Sequence, residues 1–208
     1  MAFTLVEHPL IQHKLSILRK IDTETNKFRA LTREITNLLT YEATRDLSLD
    51  PISITGWAGS VNCQKLTGKK VAVVPILRAG IGMMQGVLDL IPSARVNVVG
   101  LYRNEETLTP VEYYKKFNPD IEVRTAIIAD PMLATGHSMG ACCVMLKNKG
   151  CSKIKALCIV AAPEGVRYMA NHHPDVQIFA AALDEKLNED GYILPGLGDA
   201  GDRLFGTK

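Results

Sequence analysis

The most constraining feature of this sequence is a series of short apolar segments that alternate with helix-like segments from residue 70 onward. Five segments are apolar over most of their length rather than at every second position, at residues 70–77, 95–102, 123–129, 154–161 and 176–183. Such runs are typical of parallel strands that are covered on both faces. Helix-like segments separate several of them, at about 80–90, 138–149 and 164–172. The pattern predicts an α/β domain with an open, mostly parallel sheet and helices on both faces. In such domains ligands bind beyond the carboxyl ends of the strands.

The regions before and after this alternation have other patterns. Residues 8–20 and about 23–44 place apolar side chains along one helical face, and they predict two N-terminal helices. Residues 50–68 combine short β-prone pieces with glycines and predict a hairpin. Residues 103–121 form a long polar insertion, and insertions of this length are usually functional or mobile. Residues 184–208 are rich in glycine, yet their apolar side chains favour a docked tail.

The length and these patterns predict one domain over residues 1–208. Its expected parts are the N-terminal helices and hairpin at 1–68, the core at 69–183, the inserted arm at 103–121 and the tail at 184–208.

Charge and composition exclude several classes of protein. The 24 basic and 22 acidic residues give a net charge of +2, which is too balanced to argue for nucleic acid or an anionic membrane as a partner. No apolar run approaches the roughly 18 residues of a membrane helix. The first 20 residues contain no apolar h-region, so we expect no secretory signal. The five cysteines form no CxxC pair, so they predict buried thiols in the cytoplasm rather than a zinc site.

The first segment that carries chemistry is residues 126–138 (AIIADPMLATGHS). An apolar strand ends at Asp130, and a short loop leads into a helix near Ser138. The free N–H groups and the positive end of a helix dipole favour a phosphate there, and Thr135 adds a hydroxyl. Gly136 allows close approach of the backbone. The alternative is an ordinary strand–loop–helix connection with Ser138 as its cap.

The second segment is residues 73–82 (VVPILRAGIG), another apolar strand that ends in a loop and a helix. Arg78 stands at the carboxyl end of this strand, where its fork of N–H donors suits phosphate oxygens. Gly80, Gly82 and Gly86 make a GxGxxxG pattern. Because this is one residue longer than the dinucleotide fingerprint, it supports nicotinamide binding only weakly.

The third segment is the tail from Gly191 to Arg203. Its glycines from 196 to 201 match GxGxxG, but only seven residues remain after Gly201, so we expect no helix to follow. A tight backbone loop that contacts a flat ligand through its own N–H and C=O groups is the functional interpretation. A disordered glycine-rich tail is the alternative.

Together these segments resemble the uracil phosphoribosyltransferase family. AIIADPMLATGHS resembles the family's loop for 5-phosphoribosyl 1-pyrophosphate (PRPP), and VVPILRAGIGMM resembles its pyrophosphate loop. GLYRNEET resembles the start of a mobile β-arm, and GYILPGLGDAGDRLFGTK resembles the uracil-binding C-terminus. With LLTYEAT (38–44) and AAPEG (161–165), the likeness extends from near residue 8 to Lys208.

The resemblance implies transfer of a phosphoribosyl group from PRPP to uracil, which yields UMP and pyrophosphate in pyrimidine salvage. The implied PRPP-binding residues are Arg78, Arg103, Asp130, Pro131, Met132, Leu133, Ala134, Thr135, Gly136, His137, Ser138 and Asp199. The implied uracil-binding residues are Ile193, Gly198, Asp199 and Ala200. The implied catalytic residues are Arg78, Arg103, Asp130 and Asp199.

The resemblance also implies a cofactor and an assembly. Mg²⁺ would bind mainly through PRPP oxygens and water rather than at a dedicated protein site, with Asp199 as the residue that could touch it. A homodimer or higher homo-oligomer is expected. Some family members respond to GTP, and the sequence leaves open whether this chain does.

Two positions depart from the phosphoribosyltransferase pattern. Pro131 stands where most phosphoribosyltransferases have a second acid, as in the uracil branch, and His137 stands where uracil enzymes generally have glycine. If that position requires a positive φ, the histidine is strained. The alternatives in function are a non-catalytic nucleotide-sensing regulator built on this fold and a nicotinamide-dependent dehydrogenase.

Overall fold

The computed structural model describes residues 2–68, 71–103 and 109–207, without the side chains of Ala2 and Arg103. The strands are β1 (Ala2–Leu5), β2 (Leu49–Gly56), β3 (Gly59–Leu66), β4 (Val71–Leu77), β5 (Arg95–Val96), β6 (Val98–Arg103), β7 (Pro110–Lys116), β8 (Thr125–Ala129), β9 (Met132–Leu133), β10 (Lys153–Ala161), β11 (Gln177–Leu183), β12 (Lys186–Leu187) and β13 (Ile193–Leu194). The helices are α1 (Pro9–Leu18), α2 (Thr25–Ala43), α3 (Ile81–Leu90), α4 (His137–Lys147), α5 (Pro163–His172) and α6 (Ala200–Phe205), with one 3-10 turn at Ile121–Val123.

The main sheet has the strand order β1-β11-β10-β8-β4-β6-β7, with β5 added on β4 and β9 on β10. The pairs are parallel except for β6 with β7, which is antiparallel. This confirms the predicted mostly parallel sheet. Its central strands β10, β8 and β4 therefore bring their carboxyl ends to one edge.

Strand β4 shows why the central strands read as continuous apolar runs. Val71 and Val73 pack into one core with α1, α2, α3 and α6, whereas Ala72, Val74 and Ile76 pack into a second core with α4 and α5. Both faces of the strand are buried, so every position must be apolar. Helices on both faces, as predicted, follow from this arrangement.

The two-stranded hairpin β2–β3 confirms the prediction for residues 50–68. Its register runs from Leu49 opposite Leu66 to Gly56 opposite Gly59. Trp57, at the tip, is fully exposed. The return strand of the inserted arm is β7, which pairs with β6, while residues 104–108 of the arm lie outside the described residues.

Three expectations need correction. The predicted strand 95–102 is divided at the buried Asn97, whose N–H bonds to the Val73 carbonyl. Strand β1 was not predicted; it pairs with β11 at the edge of the sheet. Helix α6 includes Gly201, although no helix was expected in the last residues.

The short α6 forms because tertiary contacts stabilise it. Leu204 is buried against α3, where a Cβ on Gly82 would lie 2.6 Å from its Cδ2. Arg29 of α2 donates a hydrogen bond to the Leu204 carbonyl over 2.5 Å. Asp199 caps the helix through the Asp202 N–H at 2.8 Å. Within the residues that the structure describes, no helix is long and apolar enough to cross a membrane.

Candidate active site

The candidate site begins where β4 and β8 end side by side. Pro75 pairs with Ala129 in register, so Arg78 and Asp130 follow their strands at the same edge of the sheet. The Leu77–Arg78 peptide is cis. The turn after Arg78 approaches β8 closely, because a Cβ on Gly80 would lie 2.3 Å from the Ala129 carbonyl oxygen. Only glycine fits there, which explains this part of the second motif.

The loop after β8 has the geometry expected for a helix-terminal anion site. Gly136 is the N-cap of α4 with φ +85°, and the helix begins at His137. The first N–H groups of such a helix have no intrahelical partner. The condition under which His137 would be strained is therefore not met, because the residue with the positive φ is Gly136 and not the histidine.

Asp130 at the start of this loop is a carboxyl in an unfavourable environment. Burial raises its pKa from the ordinary value of 3.8 to about 7, and the Met132 N–H opposes the rise. That N–H lies 3.4 Å from Asp130 Oδ1. A hydrogen-bond donor from a ligand would favour the ionised form, so a bound ligand with such donors would lower the pKa of Asp130 again.

Helix α5 supports the loop from behind, a role that the sequence did not reveal. A Cβ on Gly165 would lie 2.4 Å from the Ala134 carbonyl oxygen, and one on Gly136 would lie 2.8 Å from the Tyr168 ring. The His137 ring meets Tyr168 edge-on with 4.7 Å between centroids. Its Nδ1 is buried and has no hydrogen-bond partner among the described residues. The glycine in AAPEG was the available signal of this close packing.

The tail closes the other side of the site. A cavity of about 230 Å³ lies between it and the two loops. Its lining residues are Ala79, Asp130, Met132, Ala134, Gly191, Tyr192, Ile193, Gly198, Asp199, Ala200 and Gly201. Candidate residues from the first and third motifs thus meet in one cavity, although about 60 residues separate them in the sequence.

The remaining predicted site residues lie at the rim or beyond the described part. Arg78 Nη2 lies 3.6 Å from Asp202 Oδ1, and its guanidinium stands 5.6 Å from the centre of the Phe205 ring. The side chain is 58% exposed, so it remains accessible to a ligand.

The side chain of Arg103 lies outside the described residues; its backbone ends β6, next to β4. Pro131, Leu133, Thr135 and Ser138 belong to the loop or the start of α4 without lining the cavity.

Among the described residues, no group of three or more His, Cys, Asp or Glu side chains could hold a metal ion. The two carboxylates on the cavity, Asp130 and Asp199, are nevertheless hard oxygen ligands of the kind Mg²⁺ accepts. All five cysteines are free thiols.

This combination of a parallel sheet, a phosphate-type loop after β8 and an arginine-bearing loop after β4 defines a phosphoribosyltransferase fold. Solved structures share it at low identity. Adenine phosphoribosyltransferase from Trypanosoma brucei, in complex with AMP, pyrophosphate and ribose-5-phosphate, superimposes with a TM-score of 0.58 at 10% identity, over 87% of this chain and 83% of that one. Hypoxanthine phosphoribosyltransferase from Trypanosoma cruzi gives 0.51 at 11% identity, over 76% and 75%.

The sequence narrows the class further. The model of the family described as uracil phosphoribosyltransferase matches residues 5–207. The AQ2163 protein from Aquifex aeolicus is 37% identical, with a TM-score of 0.95 and 99% of both chains covered. The chain belongs to the uracil phosphoribosyltransferase family, and it is a pentosyltransferase that uses PRPP.

Proposed function

We propose that this protein transfers the phosphoribosyl group of PRPP to uracil and releases UMP and pyrophosphate, as a step of pyrimidine salvage in the cytoplasm. The observation that carries this proposal is the shared cavity, which is lined both by Asp130 and by residues of the tail. One substrate would lie on the loop after β8, and the other would lie against residues 191–201.

PRPP fits the loop and its two neighbouring strand ends. The 5′-phosphate would sit on the N–H groups from Met132 to Ser138 at the start of α4. Asp130 would accept hydrogen bonds from the ribose hydroxyls. Arg78 and Arg103 would hold the pyrophosphate oxygens, as forked guanidinium groups suit them.

Uracil would be read by the main chain of the tail. Its O2, N3 and O4 present acceptor, donor and acceptor along one edge, which an alternation of N–H, C=O and N–H can match. Ile193, Gly198 and Ala200 supply such groups around the cavity, with Asp199 between the last two. Cytosine would leave buried groups unpaired, at about 1–3 kcal/mol for each group.

The protein would accelerate this reaction mainly by electrostatic stabilisation of the leaving group. The bond between ribose C1′ and the pyrophosphate oxygen would break while positive charge develops on the ribose, and uracil N1 would bond to C1′ and release its proton to solvent. The two arginines would stabilise the charge of the leaving group. Mg²⁺, when bound, neutralises further charge on the pyrophosphate, and Asp199 with Asp130 would face it. The arm at residues 103–121 would exclude water and suppress hydrolysis.

The first test incubates the purified protein with PRPP, Mg²⁺ and one base at a time: uracil, cytosine, orotate, hypoxanthine or adenine. We expect a nucleotide from uracil alone. Product from another base would reject the assignment of residues 192–200 as the uracil reader. PRPP binding with no product from any base would instead favour the non-catalytic regulator.

Assembly is a separate part of the proposal. We expect a homodimer by light scattering at micromolar concentration, and a strict monomer would contradict this. The same measurement with and without GTP tests whether GTP acts as an effector through assembly.

A further inference from the structure

A base-binding site that is built from main-chain groups uses no side chain to recognise the base. Its accuracy depends on the residues that fix the course of its backbone, because a misplacement of about 1 Å at a reacting centre can cost about a hundredfold in rate. The segment from Ile193 to Ala200 is such a site under the proposed function, on which this inference rests.

An ion pair between the partly buried Arg19 and the buried Asp184 holds the middle of this segment. Asp184, directly after β11, accepts the Gly196 N–H on Oδ2 at 2.8 Å. Arg19, at the end of α1, donates through Nη1 to the Gly196 carbonyl at 2.6 Å and to Asp184 Oδ2 at 2.8 Å. Its Nη2 donates to Asp184 Oδ1 at 2.6 Å. Both backbone groups of Gly196 are therefore held by one arginine–carboxylate pair.

The surroundings make this contact specific. The Asp184 side chain is only 5% exposed and the Arg19 side chain 24%. Gly196 has φ +61°, and a Cβ there would lie 2.1 Å from the Ile193 carbonyl oxygen. The turn is thus tight enough for a change at Gly196 to reach Ile193 and Gly198 on either side of it.

We propose that Arg19 and Asp184 are positioning residues for the base, which hold the Gly196 turn so that Ile193 and Gly198 meet uracil in register. Neither residue lines the cavity. Neither belongs to the motifs after β4 and β8 or to the motif from Gly191 to Arg203; Asp184 is the first residue of the tail, directly after β11. Their effect on the reaction is indirect, and it falls on the base rather than on PRPP.

The test compares the variants R19K, R19M and D184N with R33K. Arg33 forms an equally bidentate pair with Asp89, at 2.5 and 2.8 Å between α2 and α3, and neither residue lines the cavity. Steady-state kinetics give KM for uracil, KM for PRPP and kcat, and urea unfolding gives the stability of each variant. R19M could fail to fold because it leaves the buried Asp184 carboxylate unpaired. R19K keeps the charge and guards against that outcome.

We expect KM for uracil to rise about tenfold in R19K and D184N, while KM for PRPP changes less than about twofold. R19M, if folded, should raise KM for uracil more than R19K does. The double variant R19M/D184N should raise KM for uracil no more than R19M does, because both substitutions act through Gly196. R33K should keep both KM values.

Two results would overturn the inference while leaving the proposed function intact. One is an unchanged KM for uracil in folded R19K and D184N. The other is an equal rise of both KM values, which would indicate general damage to the site. A wild-type protein that makes no UMP would overturn the proposed function instead, and this inference with it.

Discussion

Arg78 at the end of β4 lies 3.6 Å from Asp202 of α6, between Nη2 and Oδ1. The contact joins the loop proposed for pyrophosphate to the helix that follows the proposed uracil reader. Asp202 is itself tied to Asp199, whose Oδ1 accepts its N–H. The two proposed substrate sites therefore share one chain of polar contacts, and substitutions at Arg78 test how far they act separately.

Arg78→Lys keeps the positive charge but loses the forked donors. We expect KM for PRPP to rise about tenfold, since an ammonium lacks the planar fork of parallel N–H donors that binds two phosphate oxygens at once. Stability should change by less than about 1 kcal/mol, because the ion pair with Asp202 is partly exposed. Arg45→Lys is the matched control, as its exposed guanidinium, just beyond the end of α2, pairs with Glu42 away from the cavity. An unchanged KM for PRPP would place Arg78 outside the binding site.

Asp130→Asn tests the raised pKa of that carboxyl. Well below the ordinary pKa of 3.8, the carboxyl is protonated in both the folded and the unfolded protein. Between about pH 4 and pH 7 only the folded protein keeps the proton, so the free energy of unfolding of the wild type falls as pH rises. Above pH 7 the penalty is constant.

The neutral amide of D130N avoids this penalty. We expect D130N to gain about 2 kcal/mol over the wild type between pH 4 and pH 8, after allowance for solvent in the open cavity. Urea unfolding at both pH values measures the difference. For the wild type, KM for PRPP should fall as pH rises through about 7, because the ionised carboxyl accepts hydrogen bonds from ribose. A difference in stability that does not depend on pH would refute the shifted pKa.

His137→Gly and Gly136→Ala distinguish which residue of the loop is constrained. H137G should leave KM for PRPP within about threefold and cost about 1 kcal/mol of stability, because helix propensity and the contact with Tyr168 are lost. G136A places a side chain at φ +85° and 2.8 Å from Tyr168, so KM for PRPP should rise more than about tenfold. If H137G instead raised PRPP affinity tenfold or more, the histidine would be an obstruction.

Magnesium binding should depend on PRPP. Mg²⁺ alone should leave Tm unchanged, whereas Mg²⁺ with PRPP should raise it further than PRPP alone, by about 5 °C at saturating concentrations. The physical reason is that the ion takes most of its ligands from phosphate oxygens and water. Thermal unfolding in four conditions (apo, Mg²⁺, PRPP and both) measures this. A shift of several degrees with Mg²⁺ alone would indicate a resident metal site on the protein.

The sequence by itself determined the architecture of the core and the placement of two motifs. Val71 to Ile76 are apolar at each position because both faces of β4 are covered. This apolar run indicates such a strand even when its neighbours in the sheet are unknown. The carboxyl ends of parallel strands share an edge, so Arg78 and Asp130 were expected on one side of the sheet. Gly136 was expected to allow a close approach of the backbone, and a Cβ there would lie 2.8 Å from the Tyr168 ring. The positive φ at Gly136 and the close approach of Gly80 to Ala129 emerged only from the structure.

Only the tertiary structure decided the rest, because the deciding contacts join residues far apart in the chain. The six-residue helix α6 forms because Leu204 is buried and Arg29 donates a hydrogen bond to the Leu204 carbonyl. Local helix propensity does not signal either contact. Arg19 bonds to Asp184 and to Gly196, which lie 165 and 177 positions away from it in the sequence. The raised pKa of Asp130 likewise depends on what buries it. Local patterns specify elements, whereas desolvation and long-range hydrogen bonds exist only once the elements have packed.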